Sequence, residues 1–201
     1  MPLLNGIEHV DVLRERYPAA TVVAGTIRVE STRVEPGRVE HSSPFASVEL
    51  AATGASLPPA ERLAHALRGA GLDVRIRDDE DAMLWDKLSF LAPLALATTH
   101  AGEPAGPVRS ERRDVLLALV DEVAAVAAAD GAPIDRGAVV EFVDGVPASM
   151  RSSMLRDADA GRALEVEAIG GVILRRAERA GIAVPVAARL VGELRDRDAA
   201  R

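Results

Sequence analysis

Asp78-Asp79-Glu80-Asp81-Ala82-Met83-Leu84-Trp85-Asp86-Lys87-Leu88-Ser89-Phe90-Leu91 is where the chain changes character. Its acidic opening suits the positive end of a helix dipole, and the apolar run behind it predicts a buried helix over Asp79 to Thr98. Downstream the periods are helical throughout, with helices predicted at Val108 to Asp130, Ile134 to Val143, Ser149 to Ala160, Leu164 to Ala180 and Pro185 to Arg197. Breaks are expected at Gly102, Pro107, Asp130-Gly131, Asp144-Gly145-Val146-Pro147, Gly161 and Ala180-Gly181. Upstream the elements are short and mixed. A helix is predicted at Ile7 to Arg16, a strand in the β-branched stretch Thr21 to Val29, and a turn at Glu35-Pro36-Gly37-Arg38. Returning strands follow at Val39 to His41 and Ala46 to Ala52, then a helix from Ser56-Leu57-Pro58-Pro59 to Gly69 and a strand at Leu72 to Ile76. Pro2-Leu3-Leu4-Asn5-Gly6 looks like the end of a buried strand with no partners ahead of it, so the chain reads as the back part of something longer. The expected organisation is an α/β part over residues 1–78 and an all-helical part over 79–201.

Composition narrows the chemistry. With 201 residues, 48% of them hydrophobic, the chain can bury a substantial core. A net charge of −7 argues against a broad grip on phosphate backbones, and 2% aromatics against base stacking. The absence of cysteine removes disulfides, thiolate metal sites and thiol nucleophiles. His9, His41, His65 and His100 have no paired ligand spacing, so no metal is expected. The chain does not open on a signal peptide, and the uncharged run Leu88 to Gly102, broken by Pro93, is too short for a membrane span. The expected location is the cytoplasm.

Lys87 is the only lysine; arginine carries the positive charge everywhere else. Arginine stays protonated, whereas a lysine in apolar surroundings can exchange a proton during a reaction. The alternative is a stem lying along apolar surface with its head in water or beside Asp86. At helical spacing Lys87 is in register with Met83, Phe90 and Leu94. Asn5 is the only asparagine, in a chain without glutamine. Asn-Gly signals a turn first of all, and a second reading points the amide into a ligand crevice at the end of a sheet strand. Glu165 falls on the stripe of Ile169, Val172 and Ile173, whereas Glu167 sides with Gly171, Leu174 and Arg175. Glu165 is therefore either a carboxylate on an inward face or a first-turn glutamate satisfied by backbone N–H groups. Ser152-Ser153 contributes hydroxyls that are candidate ligands or plain helix-surface serines.

No glycine-rich loop follows a strand and opens a helix, and Gly69-Ala70-Gly71 stands in the reverse order. Taken together, Leu3-Leu4-Asn5-Gly6, Leu84-Trp85-Asp86-Lys87-Leu88, Ser152-Ser153-Met154-Leu155-Arg156-Asp157, Gly161 to Gly171 and Gly181-Ile182-Ala183-Val184-Pro185 resemble the ketopantoate reductase (2-dehydropantoate 2-reductase) family over essentially the whole chain. The resemblance implies the C-terminal part of a Rossmann-type dinucleotide-binding domain followed by an all-helical domain. It also implies NADPH-dependent reduction of a 2-oxo acid in pantothenate biosynthesis, and a possible homodimer. By the same resemblance Lys87 is the general acid, Ser153 and Glu165 bind substrate hydroxyl or carboxylate groups, and Asn5 holds cofactor or substrate, with Glu165 also implied at the cofactor. Members carry asparagines where this chain has Leu91, Ala95 and Met150, which implies fewer polar substrate contacts and allows a different 2-oxo acid. The family's N-terminal glycine-rich strand–turn–helix is not in these residues, so this chain by itself is expected to be inactive. The rival expectation is a non-catalytic helical module used for binding or oligomerisation.

Overall fold

The computed structural model describes residues 1–200. They divide into two compact units, Met1–Leu4 with Glu8–Leu84 and Asn5–Ile7 with residues 85–200. In the first unit, α1 (His9–Arg16) precedes a hairpin of β1 (Ala24–Glu35) and β2 (Arg38–Ala51), followed by α2 (Leu57–Gly69) and β3 (Asp73–Arg77). The sheet order is β1-β2-β3, with β1 antiparallel and β3 parallel to β2. A parallel neighbour needs a crossover, which α2 supplies. Pro58 and Pro59 fall in the first turn of α2, where missing N–H groups cost nothing. Val48, Leu50 and Val74 from the sheet and Val23 just ahead of β1 pack with Ala60 and Ala64 from α2 to form this unit's core.

The hairpin is longer than predicted. Strand β1 runs on to Glu35, and β2 is continuous across residues 42–45, which separate the two predicted returning strands. Those residues oppose Glu30, where the register shifts between Val29↔Ala46 and Ser31↔His41. The irregularity is satisfied by side chains: Glu30 N–H donates to Ser43 Oγ at 2.9 Å, and Ser42 Oγ donates to the Glu30 carbonyl at 3.3 Å. Residues 1–4 form no strand, although Met1 and Leu3 pack into the space left by Gly25.

The second unit is helical beyond its short loop segment. Its helices are α3 (Glu80–Ala101, from Trp85 on), α4 (Ala105–Glu111), α5 (Arg113–Ala129), α6 (Arg136–Gly145), α7 (Ser153–Asp159), α8 (Val172–Ala180) and α9 (Pro185–Ala199). Trp85, Leu88, Leu96, Leu116, Leu119, Met154, Leu155, Ile169, Ile173 and Leu190 are fully buried. The single helix predicted over Val108 to Asp130 is two, parted at Arg112, where φ is −129°. Pro107 does not break the chain as expected, because it sits in the first turn of α4 where its N–H would be unpaired anyway. Polar ties pin the helices. Trp85 Nε1 donates to Asp130 Oδ2 at 2.9 Å, and Arg176 Nη1 reaches the other oxygen at 3.1 Å. The two Glu122 oxygens each accept an N–H from the first turn of α9, from Val186 and Ala187, at 2.8 Å. No helix among the described residues is long and apolar enough to cross a membrane.

Candidate functional site

The segment before α8 is not the regular helix that the apolar period suggests. Glu165 lies just outside it, and Glu167–Gly171 forms a π turn before the α-helix resumes at Val172. Such turns are rare inside helices and recur at functional sites, because one extra residue changes where the preceding side chains point. Gly170 and Gly171 make it possible here. A Cβ on Gly170 would press on Val191 and lie 3.0 Å from Leu96, and one on Gly171 would run into the Glu167 carboxylate. Glu167 itself is exposed and held by Arg175 and Arg195, whose guanidinium groups keep its carboxyl below the usual range, Arg195 most strongly. It belongs to the surface. Glu165 turns the other way and is half-buried.

Asn5 meets Glu165 across 160 residues of sequence, its Nδ2 donating to Glu165 Oε2 at 2.7 Å. Lys87 Nζ donates to Asn5 Oδ1 at 2.9 Å. Chemistry fixes the orientation of this amide. An ammonium has only donors and a carboxylate only acceptors, so the oxygen of Asn5 must face Lys87 and its nitrogen Glu165. Lys87 is only 9% exposed, and its ammonium is tied into this chain of polar groups. Removing one member would leave a neighbouring polar group short of a partner, at a cost of about 1–3 kcal/mol.

Gly6 explains how Asn5 gets there. Its φ is +81°, and a Cβ on it would overlap the carbonyl oxygen of Ala168 and lie 3.2 Å from that carbonyl carbon. The obstruction is backbone, which cannot swing aside. Asn5-Gly6 is thus a turn that also carries a side chain to Lys87 and Glu165, although no strand leads into it as the second sequence reading expected. The glycine serves the φ and the π turn at once.

Ser152 and Ser153 separate in role. Ser152 is the N-cap of α7, accepting the Leu155 N–H at 3.2 Å, and its hydroxyl lies 2.8 Å from Thr98 Oγ1. Thr98 gives its own proton to the Leu94 carbonyl at 2.6 Å, so Ser152 is the donor between the two hydroxyls. The plain helix-surface reading therefore fails for Ser152, which is buried. Ser153 opens α7, is half-buried, and stands outside the Lys87–Asn5–Glu165 chain. An open pocket lined by Gly106, Arg109, Arg113, Asp144 and Ala148 includes none of Asn5, Lys87, Ser153 and Glu165. Among the described residues no cluster of three His, Cys, Asp or Glu side chains could hold a metal ion.

The π turn, the close approach at Gly6 and the Thr98–Ser152 pair escaped the sequence reading. Gly170-Gly171 was the available signal for the first, since a glycine pair inside a helical period marks a kink or a close contact.

Comparison with known proteins places this geometry. The family described as "Ketopantoate reductase PanE/ApbA C terminal" matches residues 79–198, and "Ketopantoate reductase PanE/ApbA" matches residues 1–54. The 2-dehydropantoate 2-reductase of Mycobacterium tuberculosis is 35% identical over 94% of this chain, which spans 63% of that relative's length. The crystal structure of 2-dehydropantoate 2-reductase from Geobacter metallireducens superposes with a TM-score of 0.87 at 30% identity, covering 97% of this chain and 67% of that one. D-mandelate dehydrogenase, solved with NADH and anilino(oxo)acetate, shares the fold with a TM-score of 0.89 at 22% identity, covering 98% of this chain and 67% of that one. The fold is accordingly the C-terminal part of a Rossmann-type domain followed by the all-helical domain of these enzymes, and the chain belongs to the ketopantoate reductase family.

Proposed function

We propose that the whole protein containing these residues reduces a 2-oxo acid to a 2-hydroxy acid, with Lys87 as the general acid. The observation that carries this reading is the hydrogen-bonded chain from Lys87 through Asn5 to Glu165. Reducing a ketone places negative charge on its oxygen, and a donor aimed at that oxygen stabilises the charge and then supplies the proton. Lys87 Nζ–H breaks, the O–H of the product forms, and the neutral amine takes a proton back from solvent. Asn5 holds the ammonium in place, and Glu165 holds Asn5. Ser153, at the start of α7, is assigned to the substrate carboxylate. Contact of Asn5 and Glu165 with the dinucleotide remains part of the same proposal. The catalytic reading is preferred over the helical binding module because Lys87, Asn5 and Glu165, from distant parts of the sequence, converge in one hydrogen-bonded chain.

The reaction needs a hydride donor, taken here to be NADPH. Among the described residues no strand runs into a glycine-rich turn at a helix N-terminus, the arrangement that binds a pyrophosphate. These residues alone do not fit that group, and what they contribute is binding, orientation and a proton. A homodimer is proposed alongside, since β1 leaves a sheet edge unpaired among the described residues. Light scattering on the purified chain measures it.

Lys87→Arg, assayed in the whole protein with any natural segment ahead of Met1, tests the role. It keeps the charge and removes the transferable proton, so kcat should fall by about two to four powers of ten. A glutamine at 165 keeps an oxygen able to accept from Asn5 Nδ2 but loses the charge that Glu165, also assigned to substrate groups, would offer them, so Glu165→Gln should act mainly through KM. Unchanged turnover in Lys87→Arg would remove the lysine from the chemistry.

A further inference from the structure

Asn5-Gly6 is a reactive pair as well as a turn. The main-chain nitrogen that follows an asparagine can attack its side-chain carbonyl carbon, and glycine, with no Cβ, hinders that attack least. A bond forms from Gly6 N to Asn5 Cγ and closes a five-membered imide. The Cγ–Nδ2 bond breaks, and Nδ2 leaves as ammonia with the proton that Gly6 N gives up. Water then opens the ring at either carbonyl, leaving at position 5 an aspartate or its isomer linked through the side chain.

Three features of the structure bear on that closure. The amide is held at both ends, Nδ2 donating to Glu165 Oε2 at 2.7 Å and Oδ1 accepting from Lys87 Nζ at 2.9 Å, so Cγ is not free to swing toward Gly6. Gly6 is seated against the backbone of Ala168, where a Cβ would overlap the carbonyl oxygen, so the peptide joining the pair has little room to turn. The Lys87 ammonium works the other way: it polarises the carbonyl and stabilises the negative charge that an attack puts on Oδ1. Held by both partners, the amide is braked; released by Glu165 alone, it is activated.

We propose that Asn5-Gly6 is a site of spontaneous deamidation that the intact Lys87–Asn5–Glu165 chain suppresses, and that the reaction switches the candidate site off once that chain opens. The product carries a carboxylate where the amide nitrogen faced Glu165. Two carboxylates then stand across a gap that a 2.7 Å hydrogen bond had bridged, and neither is a donor. The new anion also pairs with Lys87, which then holds its proton more tightly. Only the consequence for turnover rests on the reading of Lys87 as the proton donor; the modification itself does not.

Because Asn5 is the only asparagine and there is no glutamine, ammonia released from the purified chain at mildly alkaline pH counts this one side chain, and peptide mapping separates the two products. The folded parent should release it at least about a hundredfold more slowly than the same chain unfolded in urea. Glu165→Leu, which frees the amide and leaves Lys87 on its carbonyl, should accelerate release from the folded chain by about tenfold or more, and Lys87→Met by less. Fluorescence of Trp85, the sole tryptophan, establishes that each variant is folded. Asp130→Asn loosens the same unit at the bonds from Trp85 and Arg176 without touching Asn5, and should stay at the parent's rate. In the whole protein, Asn5→Asp should lower kcat by about tenfold or more. A folded parent that deamidates as fast as the unfolded chain, or a Glu165→Leu variant no faster than Asp130→Asn, would overturn the proposal. The reverse order of Glu165→Leu and Lys87→Met would overturn the activation by Lys87. Unchanged turnover in Asn5→Asp would overturn the switch. A parent that reduces no 2-oxo acid would overturn the reductase reading instead, and the ammonia counts test the modification in either case.

Discussion

Two glycine turns in this molecule are alike locally and opposite in consequence. Gly37, at the tip of the β1–β2 hairpin, and Gly6, after Asn5, have φ values of +82° and +81°. A Cβ on Gly37 would meet nothing within 4 Å, whereas one on Gly6 would drive into the backbone of Ala168. The first glycine is needed only for its dihedral angle. The second is needed for that angle and for the approach that brings Asn5 between Lys87 and Glu165. Local conformation alone therefore does not distinguish a solvent turn from a turn that positions a candidate catalytic group. What distinguishes them is a partner far away in sequence.

Substituting alanine at each position turns the comparison into a measurement. Gly6→Ala should cost about 3 kcal/mol, combining the left-handed conformation with an overlap that only backbone movement relieves. Trp85, the sole tryptophan, lies in the same unit as Gly6, so its fluorescence in a urea titration reports the loss. Gly37→Ala should cost about 1 kcal/mol through its φ alone and leave the Trp85 transition where it was. Equal effects would mean that the contact at Ala168 yields without cost.

The sequence exposed the members of the polar chain because each is an anomaly in its own stretch. Lys87 is the single lysine in an apolar helix, Asn5 the single carboxamide side chain, and Glu165 a carboxylate on an apolar stripe. Their mutual contact was not readable, since it depends on a turn and a π turn meeting from opposite ends of the chain. The same logic governs the fold. The helices were legible wherever a buried stripe imposed a period, and the outer arm of the hairpin was not. Residues 30–35 there are all exposed except Glu30, so no core imposes an alternation. The gap between the two predicted returning strands is the irregular stretch opposite Glu30, which serine side chains satisfy. The break at Arg112 has neither glycine nor proline to announce it.

Glu165 and Glu167 sharpen the contrast at smaller scale. Two positions apart, one carboxylate faces inward to Asn5 and the other outward to Arg175 and Arg195. Because Arg195 and then Arg175 hold the folded-state pKa of Glu167 below its unfolded value, its contribution is fully present above the unfolded value and is lost as pH falls through the folded one. Its side chain is 60% exposed, so solvent screening keeps that contribution to about 0.2–1 kcal/mol. Glu167→Gln should therefore be slightly less stable than the parent at neutral pH, with the difference closing as the solution is acidified below the carboxylate range. A difference that grew in acid would have the wrong sign.

The Lys87–Asn5–Glu165 chain can be observed directly in the protein as it stands. Asn5 is the only asparagine and there is no glutamine, so a 15N-labelled sample has one side-chain carboxamide, Nδ2 of Asn5. Its two protons should resonate as a single pair displaced from the positions of a free asparagine, with slowed exchange. The pair should move in both Lys87→Met and Glu165→Leu, since each removes one of the groups that fix the amide. A pair at free-asparagine positions, unmoved by either substitution, would contradict the chain and with it the catalytic role assigned to Lys87.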